Sequence, residues 1–173
     1  MAIIIRPAHL DEAKEIAAFH VRIWRETYLD IAPPVAIEKL DVQHRLPVWQ
    51  RYLGAPKPCQ HTLVAVDSGA IVGLVSFGPP SHPVFGTRGE VKHLYVDQAY
   101  KRQGIGRRLM HVAIRQMAND GFKGAALAMA EGNTKALNFY AAIGGVQDGS
   151  FIDLGPIWKS KNLIFKWDNI LPN

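Results

Sequence analysis

The segment Glu90–Leu109, with the sequence EVKHLYVDQAYKRQGIGRRL, decides how this chain folds. Its first part, Val91–Val96, combines β-branched, aromatic and apolar residues and predicts a buried strand. A polar turn follows, and apolar residues then recur at helical spacing from Ile105 to Met117. A strand that passes through glycines into the start of a helix is typical of an anion site. The glycines let backbone N–H groups approach a phosphate closely, and the helix dipole adds partial positive charge.

The rest of the chain predicts strands and helices on both sides of this segment, in the order β-α-α-β-β-β-α-β-α-β-β. Upstream, the predicted elements are a strand at Ile3–Arg6, a helix from about Leu10, a second helical stretch at Val35–Leu53, and a hairpin of Thr62–Val66 with Ile71–Phe77. Downstream, they are a strand at Ala125–Ala130, a helix at Thr134–Ile143, and strands at Val146–Leu154 and Leu163–Trp167. No linker or repeat divides them, so we expect a single α/β domain over residues 1–173.

Composition limits the class of protein. The chain has 173 residues, 48% of them hydrophobic, which suits one compact domain. No apolar run approaches the roughly 20 residues of a membrane span, and the N-terminal apolar run lacks the basic region of a signal peptide. Cys59 is the only cysteine, so no internal disulfide can form and a reducing, cytoplasmic compartment is expected. The net charge of +5 suits a phosphorylated small molecule, because Arg102, Arg107 and Arg108 gather at the glycine turn.

Two motifs carry a resemblance to a known family. Lys101–Gly106, with the sequence KRQGIG, resembles the acyl-CoA-binding motif of the GNAT superfamily of N-acetyltransferases, Arg/Gln-x-x-Gly-x-Gly/Ala, with Lys in the first position. Asn133–Tyr140, followed by Gly144, resembles the downstream Asn-x-x-Ala-x-x-Phe-Tyr-x-x-x-Gly-Phe block of the family, with Gly145 in place of the last Phe. With the strands on either side, the resemblance covers nearly the whole chain.

The resemblance implies a fold and an activity. The fold is an α/β (α+β) GNAT fold, with one mixed, mostly antiparallel sheet of six to seven strands flanked by about four helices. Its two central strands, the Val91 strand and the Ala125 strand, splay apart, and acetyl-CoA would sit in the opening. The activity is transfer of acetyl from acetyl-CoA to a primary amine on a small molecule or peptide.

The resemblance also implies the residues that bind the cofactor. Backbone groups of Leu94, Tyr95 and Val96 would hold the acetyl and pantetheine portion. Backbone N–H groups of the turn would hold the pyrophosphate, and these belong to Arg102, Gln103, Gly104, Ile105, Gly106 and Arg107. The downstream block adds Asn133, Ala136 and Tyr140. Two structural roles are alternatives to cofactor binding. Arg107 and Arg108 would lie on a solvated helix face, and Asn133 would cap the helix that begins at Thr134.

The chemistry of acetyl transfer needs a group that takes a proton from the amine and one that protonates the leaving thiolate. Glu90, which opens the organising strand, is the predicted base; the alternative is a solvated charge paired with Lys92 or Arg88. His93 is a second possible base, since its ordinary pKa is about 6.5, and strand alternation would point it away from Glu90. Tyr140 is the predicted acid, and a buried core tyrosine is the competing interpretation.

Other functions are less well supported by the sequence. No His-Glu-x-x-His, Cys-x-x-Cys, Gly-x-Ser-x-Gly or P-loop motif occurs. We therefore expect no metal site, no hydrolase nucleophile and no P-loop site for a nucleoside triphosphate. A non-catalytic acyl-CoA-binding regulatory module is the alternative function. Nucleic-acid binding through the arginine cluster ranks last, because no strand alternates basic and aromatic residues.

The acceptor amine is not specified by any motif. Specificity is expected in three segments of the chain, namely residues 24–34, the Pro79–Pro83 loop and residues 153–162. Asp30, Glu131 or Asp153 would attract a cationic amine, unless each is only a surface charge. A homodimer built on the last strand, Leu163–Trp167, rests on analogy alone.

Overall fold

The computed structural model describes residues 2–172 and has the predicted α/β architecture. Its strands are β1 (Ile4–Pro7), β2 (His61–Asp67), β3 (Ala70–Gly78), β4 (Gly89–Val96), β5 (Gly124–Ala130), β6 (Val146–Asp153) and β7 (Ser160–Asp168). Its α-helices are α1 (Ala13–Tyr28), α2 (Pro34–Lys39), α3 (Val42–Gly54), α4 (Ile105–Asn119) and α5 (Thr134–Ala142). The described residues thus contain five α-helices where about four were expected.

The extra helix comes from a break inside the second helical stretch. Leu40 leaves the helical region, with φ −80° and ψ 105°, and ends α2. Asp41 then begins α3, because its side chain accepts a hydrogen bond from His44 N at 2.8 Å. A capping carboxylate satisfies one of the free N–H groups at a helix start and favours a new helix there. The single predicted helix at Val35–Leu53 is therefore two helices.

One sheet contains all seven strands, in the order β1-β2-β3-β4-β5-β7-β6. Every neighbouring pair is antiparallel except β4 and β5, which are parallel. These two strands pair only where Gly89 faces Ala125 and Glu90 faces Ala126, and they separate beyond that point. The predicted mixed sheet with a splayed central pair is confirmed.

The last strand is not at an edge of the sheet. β7 pairs with β5 on one side and with β6 on the other. Its backbone is therefore already paired on both sides, and the free edge at this end of the sheet belongs to β6. The expectation that a dimer forms on Leu163–Trp167 gains no support from this topology.

Helices cover both faces of the sheet. On one face α4 packs through fully buried Leu109, Ala113 and Met117, which repeat at helical spacing as the sequence predicts. On the other face α1 and α3 pack against β2 and β3 in a second cluster that contains Ile16 and Trp49. Within residues 2–172, no helix is both long and apolar enough to cross a bilayer.

A bulge changes which way β4 presents its polar side chains. In the ladder with β3, His93 faces Ser76 and Val91 faces Phe77, so Lys92 is an extra residue without a partner. An extra residue interrupts strict alternation. Lys92 pairs with Glu90 at 3.0 Å, and Lys92 and His93 line the same cavity. The expectation that His93 alternates away from Glu90 is therefore wrong.

Candidate functional site

The turn between β4 and α4 presents a row of unpaired backbone N–H groups. Arg102 and Gly104 both have left-handed backbone, with φ 64° and 80°. Such residues turn successive N–H groups toward one side and form an anion-binding concavity. Among residues 2–172, nothing accepts a hydrogen bond from the N–H groups of residues 102–107, whereas the adjacent amides of Lys101 and Arg108 donate to carbonyls at 3.3 and 3.0 Å. The predicted cradle is therefore open to a ligand.

The β4 edge continues this row into the gap between β4 and β5. Asp97 N donates to Val72 O at 2.9 Å in the ladder with β3. Alternate residues of an antiparallel strand direct their backbone groups to opposite sides. Tyr95 therefore directs its N–H to β3, while Leu94 and Val96 direct theirs into the gap, where β5 has moved away. Tyr95 contributes its side chain to the site instead.

Close packing at Gly106 joins the two sequence motifs. A Cβ at Gly106 would lie 3.2 Å from Phe139 Cζ and 3.7 Å from Val96 Cγ2. The absence of a side chain thus lets α5 approach the start of α4 and the end of β4.

Two neighbouring arginines turn away from the gap, because Arg107 donates to Ala142 O at 3.5 Å and Arg108 donates to Ile3 O at 3.0 Å.

Asn133 caps α5, as one of its two predicted roles required. Its side-chain oxygen accepts a hydrogen bond from Ala136 N at 3.2 Å. Asn133 also contacts α1, since a hydrogen bond with its side chain opposes the burial that raises the pKa of Tyr28. The cap therefore fixes the start of α5 beside the cavity wall.

Tyr140 lies in the core beneath the gap. Its ring packs against Phe139, Phe165 and Trp167, with ring centroids 5.3 to 6.2 Å apart. Burial raises the pKa of Tyr140 above its ordinary value, and the phenol of Tyr28 adds to this effect. The hydroxyl makes no hydrogen bond within residues 2–172 and is not sealed from solvent. Tyr140 is thus a core residue whose phenol is protonated at neutral pH.

A cavity of about 220 Å³ lies where β4 and β5 diverge, on the side of the sheet covered by α1 and α3. Its wall is made by His20, Trp24 and Tyr28 of α1, Arg45 of α3, Lys92, His93 and Tyr95 of β4, Ala128 and Ala130 of β5, and residues between 153 and 162. Two of the three segments expected to set specificity therefore reach the wall, and the Pro79–Pro83 loop does not. The small side chains on β5 leave the space that the larger residues surround.

Glu90 stands behind this wall. Its Oε2 accepts hydrogen bonds from Ser81 N at 2.6 Å and from Lys92 Nζ at 3.0 Å. The carboxylate is buried and does not line the cavity, although its charge adds to the burial that raises the pKa of Tyr52. Its Oε1 has no partner within residues 2–172. The expected pairing of Glu90 with Lys92 is therefore present.

Buried His20 and half-buried His93 lie next to each other at the cavity. Their ring centroids are 4.9 Å apart. His93 Nδ1 lies 2.7 Å from Ser76 Oγ, and His20 Nδ1 accepts from Trp49 Nε1 at 3.2 Å. Burial lowers the pKa of His93 to about 3, helped by the charges of Arg45 and Lys92, and burial lowers the pKa of His20 well below its ordinary value. Both rings are therefore neutral near pH 7.

Sequence reasoning missed His20 and Arg45 altogether. His20 follows Ile16 by four residues and precedes Trp24 by four, so it falls on the buried face of α1. A polar residue on an otherwise apolar helix face is a signal that was available. Arg45 lies in the stretch that was predicted as one helix and is two. No sequence pattern therefore indicated which way the Arg45 side chain points.

No metal centre is evident in the part of the chain that the structure describes. Residues 2–172 contain no group of three or more His, Cys, Asp and Glu side chains arranged to hold an ion. Cys59 is exposed, in the loop that precedes β2.

Comparison with known proteins agrees with this geometry. The sequence model of the acetyltransferase (GNAT) family matches residues 19–144. YuaI of Bacillus subtilis, an uncharacterized N-acetyltransferase, is 30% identical over 141 residues, which cover 81% of this chain and 78% of that protein.

Solved structures share the fold over almost the full length. The PaiA N-acetyltransferase of Thermoplasma acidophilum, in complex with coenzyme A, gives a TM-score of 0.74 at 19% identity, covering 97% of this chain and 99% of that one. The yncA protein of Salmonella typhimurium, with its cofactor acetyl-CoA, gives a TM-score of 0.69 at 20% identity, covering 97% of this chain and 94% of that one.

Proposed function

The chain belongs to the acetyltransferase (GNAT) family and is an acetyl-CoA-dependent acyltransferase, and from this premise we propose that it moves acetyl to a primary amine of a small molecule or peptide by direct attack. One observation carries the proposal. The gap between β4 and β5 begins beside a turn whose consecutive N–H groups have no acceptor among residues 2–172. The acceptor cavity opens onto the same gap from the α1 side.

Acetyl-CoA is bound mainly by backbone in this proposal. The N–H groups of residues 102–107 hold the pyrophosphate, and the start of α4 adds the positive end of its dipole. The gap-facing N–H groups of Leu94 and Val96 hold the pantetheine and acetyl portion. Two structural neighbours that contain coenzyme A or acetyl-CoA support the choice of this cofactor.

The transition state concentrates negative charge on the acetyl oxygen. An N–H group that is already fixed by the fold stabilises such charge without reorganisation. Either gap-facing amide of β4 is held by the ladder with β3 and serves this role. The reaction then ends when a thiolate leaves, and Tyr140 protonates it, since its raised pKa keeps the phenol protonated at neutral pH.

The amine must lose a proton, and Glu90 receives it through water in this proposal. The unpaired Oε1 is the available oxygen, and Lys92 holds the carboxylate in place through Oε2. His93 is the second candidate, and one observation favours it: its ring lines the cavity, whereas Glu90 does not. Its lowered pKa leaves the ring neutral and able to accept a proton.

Two variants separate these bases. Glu90→Gln preserves shape and removes the carboxylate charge, and His93→Gln removes the ring. The variant that lacks the true base loses roughly 10²- to 10⁴-fold in kcat, as expected for a general base, while the KM for acetyl-CoA stays within a few-fold. Equal, small losses in both variants would contradict a protein base and leave the proton to water.

The protein is tested for function by titration calorimetry with acetyl-CoA, followed by thiol release in the presence of a panel of primary amines. Micromolar binding with release of coenzyme A in the presence of one amine class supports the proposal. Binding without turnover of any amine would favour the regulatory module. No binding at millimolar acetyl-CoA would overturn the assignment of the gap.

Three further expectations complete the proposal. A single domain spans residues 1–173, and the protein works in a reducing cytoplasm, for which the single, exposed Cys59 is the support. A homodimer, if it forms through the sheet, uses the free edge of β6, because β7 is paired on both sides.

A further inference from the structure

We propose that the acceptor carries an anionic group, a carboxylate or a phosphate, close to the amine that is acetylated, and that Arg45 binds this group. The inference rests on the proposed function and adds the chemical class of the acceptor. It comes from one cation on the cavity wall that has no partner among the described residues 2–172.

Arg45 differs from the other partly buried arginines of the chain. Arg6 forms two hydrogen bonds with the Glu12 carboxylate, and Arg25 donates to two backbone carbonyls of α2 and its C-terminus. The Arg45 guanidinium has neither a hydrogen bond nor an ion pair within residues 2–172, although its Nε is fully buried. A guanidinium has five N–H donors and cannot shed its charge, so burial without a partner is costly.

The position of Arg45 makes its guanidinium available to a ligand in the cavity. Arg45 lies in the first turns of α3 and lines the cavity opposite the polar side chains of β4. Burial lowers the pKa values of His93 and His20, and the charge of Arg45 adds to this effect, which indicates that Arg45 lies near both rings. The unpaired donors therefore face the same space into which the gap between β4 and β5 opens.

No carboxylate within the described part of the chain, residues 2–172, balances this charge. Glu90 is held by Lys92 and by Ser81 N. Asp153, the acidic residue on the described cavity wall, accepts hydrogen bonds from Gly155 N at 2.8 Å and from Asn162 Nδ2 at 3.4 Å, with no ion pair to Arg45. Burial lowers the pKa of Arg45, and only the phenols of Tyr95 and Tyr52 oppose it.

A purely cationic amine would therefore meet an unbalanced positive charge in the cavity, which disfavours its binding. An acceptor with an anionic group supplies the missing partner, and planar guanidinium matches carboxylate and phosphate in a bidentate geometry. The volume of about 220 Å³ is below the range of about 300–1,000 Å³ that holds drug-sized ligands. The space thus fits a molecule of amino-acid size.

The test compares matched acceptors on the full chain with saturating acetyl-CoA. The panel holds L-amino acids, their carboxamides, the corresponding decarboxylated amines and phosphoethanolamine. We expect the kcat/KM of the best anionic acceptor to exceed that of its neutral analogue by roughly 10- to 100-fold, as for a hydrogen bond between charged groups. Preference for phosphoethanolamine over amino acids would assign the anion to phosphate, and the reverse preference would assign it to carboxylate.

A variant series locates the preference on Arg45. In Arg45→Met we expect the ratio of kcat/KM for the anionic acceptor to kcat/KM for its neutral analogue to fall to near one, because only the value for the anionic acceptor decreases. Arg45→Lys should recover part of this ratio. Arg51→Met is the matched control, because Arg51 lies on the same helix and is exposed; its ratio stays at the parent value. Thermal unfolding and acetyl-CoA titration of each variant check that fold and cofactor binding are intact.

Each outcome decides the inference. Equal turnover of neutral and anionic amines by the parent protein would overturn it and leave the proposed function standing. A parent preference that survives Arg45→Met, or an Arg45→Met variant that loses acetyl-CoA affinity instead, would overturn the role of Arg45. Turnover of no amine at all would remove both proposals. If Arg45→Met does not fold, the parent ratio and Arg45→Lys still decide.

Discussion

The site has two halves, the cofactor turn at residues 102–107 and the acceptor cavity, and they use different parts of the chain. The turn at residues 102–107 uses backbone N–H groups that follow one another in sequence. The acceptor cavity uses side chains from α1, α3, β4, β5 and the region between β6 and β7, which are far apart in the chain. A backbone cradle needs only glycines and a helix start, so many sequences can build it. The cavity depends on each side chain and can change its acceptor without disturbing the cradle.

This difference predicts that the largest effect on acetyl-CoA affinity comes from displacing the backbone of the cradle. In Gly106→Val, the new side chain meets Phe139 at the closest approach of α5 and α4. Overpacking costs about 1–3 kcal/mol, and the shift of α4 moves the amides that bind pyrophosphate. We expect acetyl-CoA affinity to fall roughly 100-fold, about 2.7 kcal/mol, as measured by titration calorimetry.

Two controls make the Gly106 result specific. The double variant Gly106→Val with Phe139→Leu removes the colliding atoms and should recover much of the affinity. Gly149→Ala changes a left-handed glycine in β6, where a Cβ meets nothing within 4 Å, and should leave affinity at the parent value. If Gly106→Val binds acetyl-CoA normally, the cradle tolerates displacement and the contrast between the two halves fails.

Tyr140 lies where the two halves meet, so removing only its hydroxyl should affect chemistry and not binding. In Tyr140→Phe we expect kcat to fall roughly 100-fold, within the range for a general acid. The KM for acetyl-CoA and the melting temperature should stay close to parent values, because the hydroxyl makes no hydrogen bond to residues 2–172. An unchanged kcat would assign Tyr140 to the core alone.

The same contrast explains what the sequence predicts and what it does not. The turn was predictable because its glycines, basic residues and helix start are contiguous in Lys101–Gly106. The splayed strands followed from resemblance to a family. The bulge at Lys92 was not predictable, because an extra residue in a ladder leaves no mark on the composition of a strand. Arg45 was missed because side chains that converge from separate helices have no shared sequence pattern.

The cavity half should also make stability depend on pH, through His93. The folded pKa of His93, about 3, lies below the ordinary value of 6.5. The unfolded chain therefore binds a proton that the folded chain excludes, and stability is lost as pH falls below 6.5. For one such group the loss is at most about 2 kcal/mol between pH 6.5 and 5.

Denaturant unfolding of the parent and of His93→Gln between pH 5 and 7 measures this loss. The parent should lose more stability than the variant on acidification, since the variant has no proton to exclude at this position. His20 contributes in the same direction and remains in both proteins, and because His93 adds to the burial that lowers the pKa of His20, the difference reports His93 together with its coupling to His20. Parallel curves for the two proteins would show that the ring is protonated freely in the folded state.

The smallest effect is expected at Asn133, which touches both halves through the cap of α5 and through Tyr28. Asn133→Ala should lower the free energy of unfolding by about 1 kcal/mol, the usual cost of losing a side-chain cap, as measured by chemical denaturation. Asn133→Asp keeps a capping oxygen and should retain most of that stability. If Asn133→Asp nevertheless loses acetyl-CoA affinity more than about tenfold, roughly 1.4 kcal/mol, the side chain also contacts the cofactor. Equal affinity in all three proteins would instead confine Asn133 to the cap.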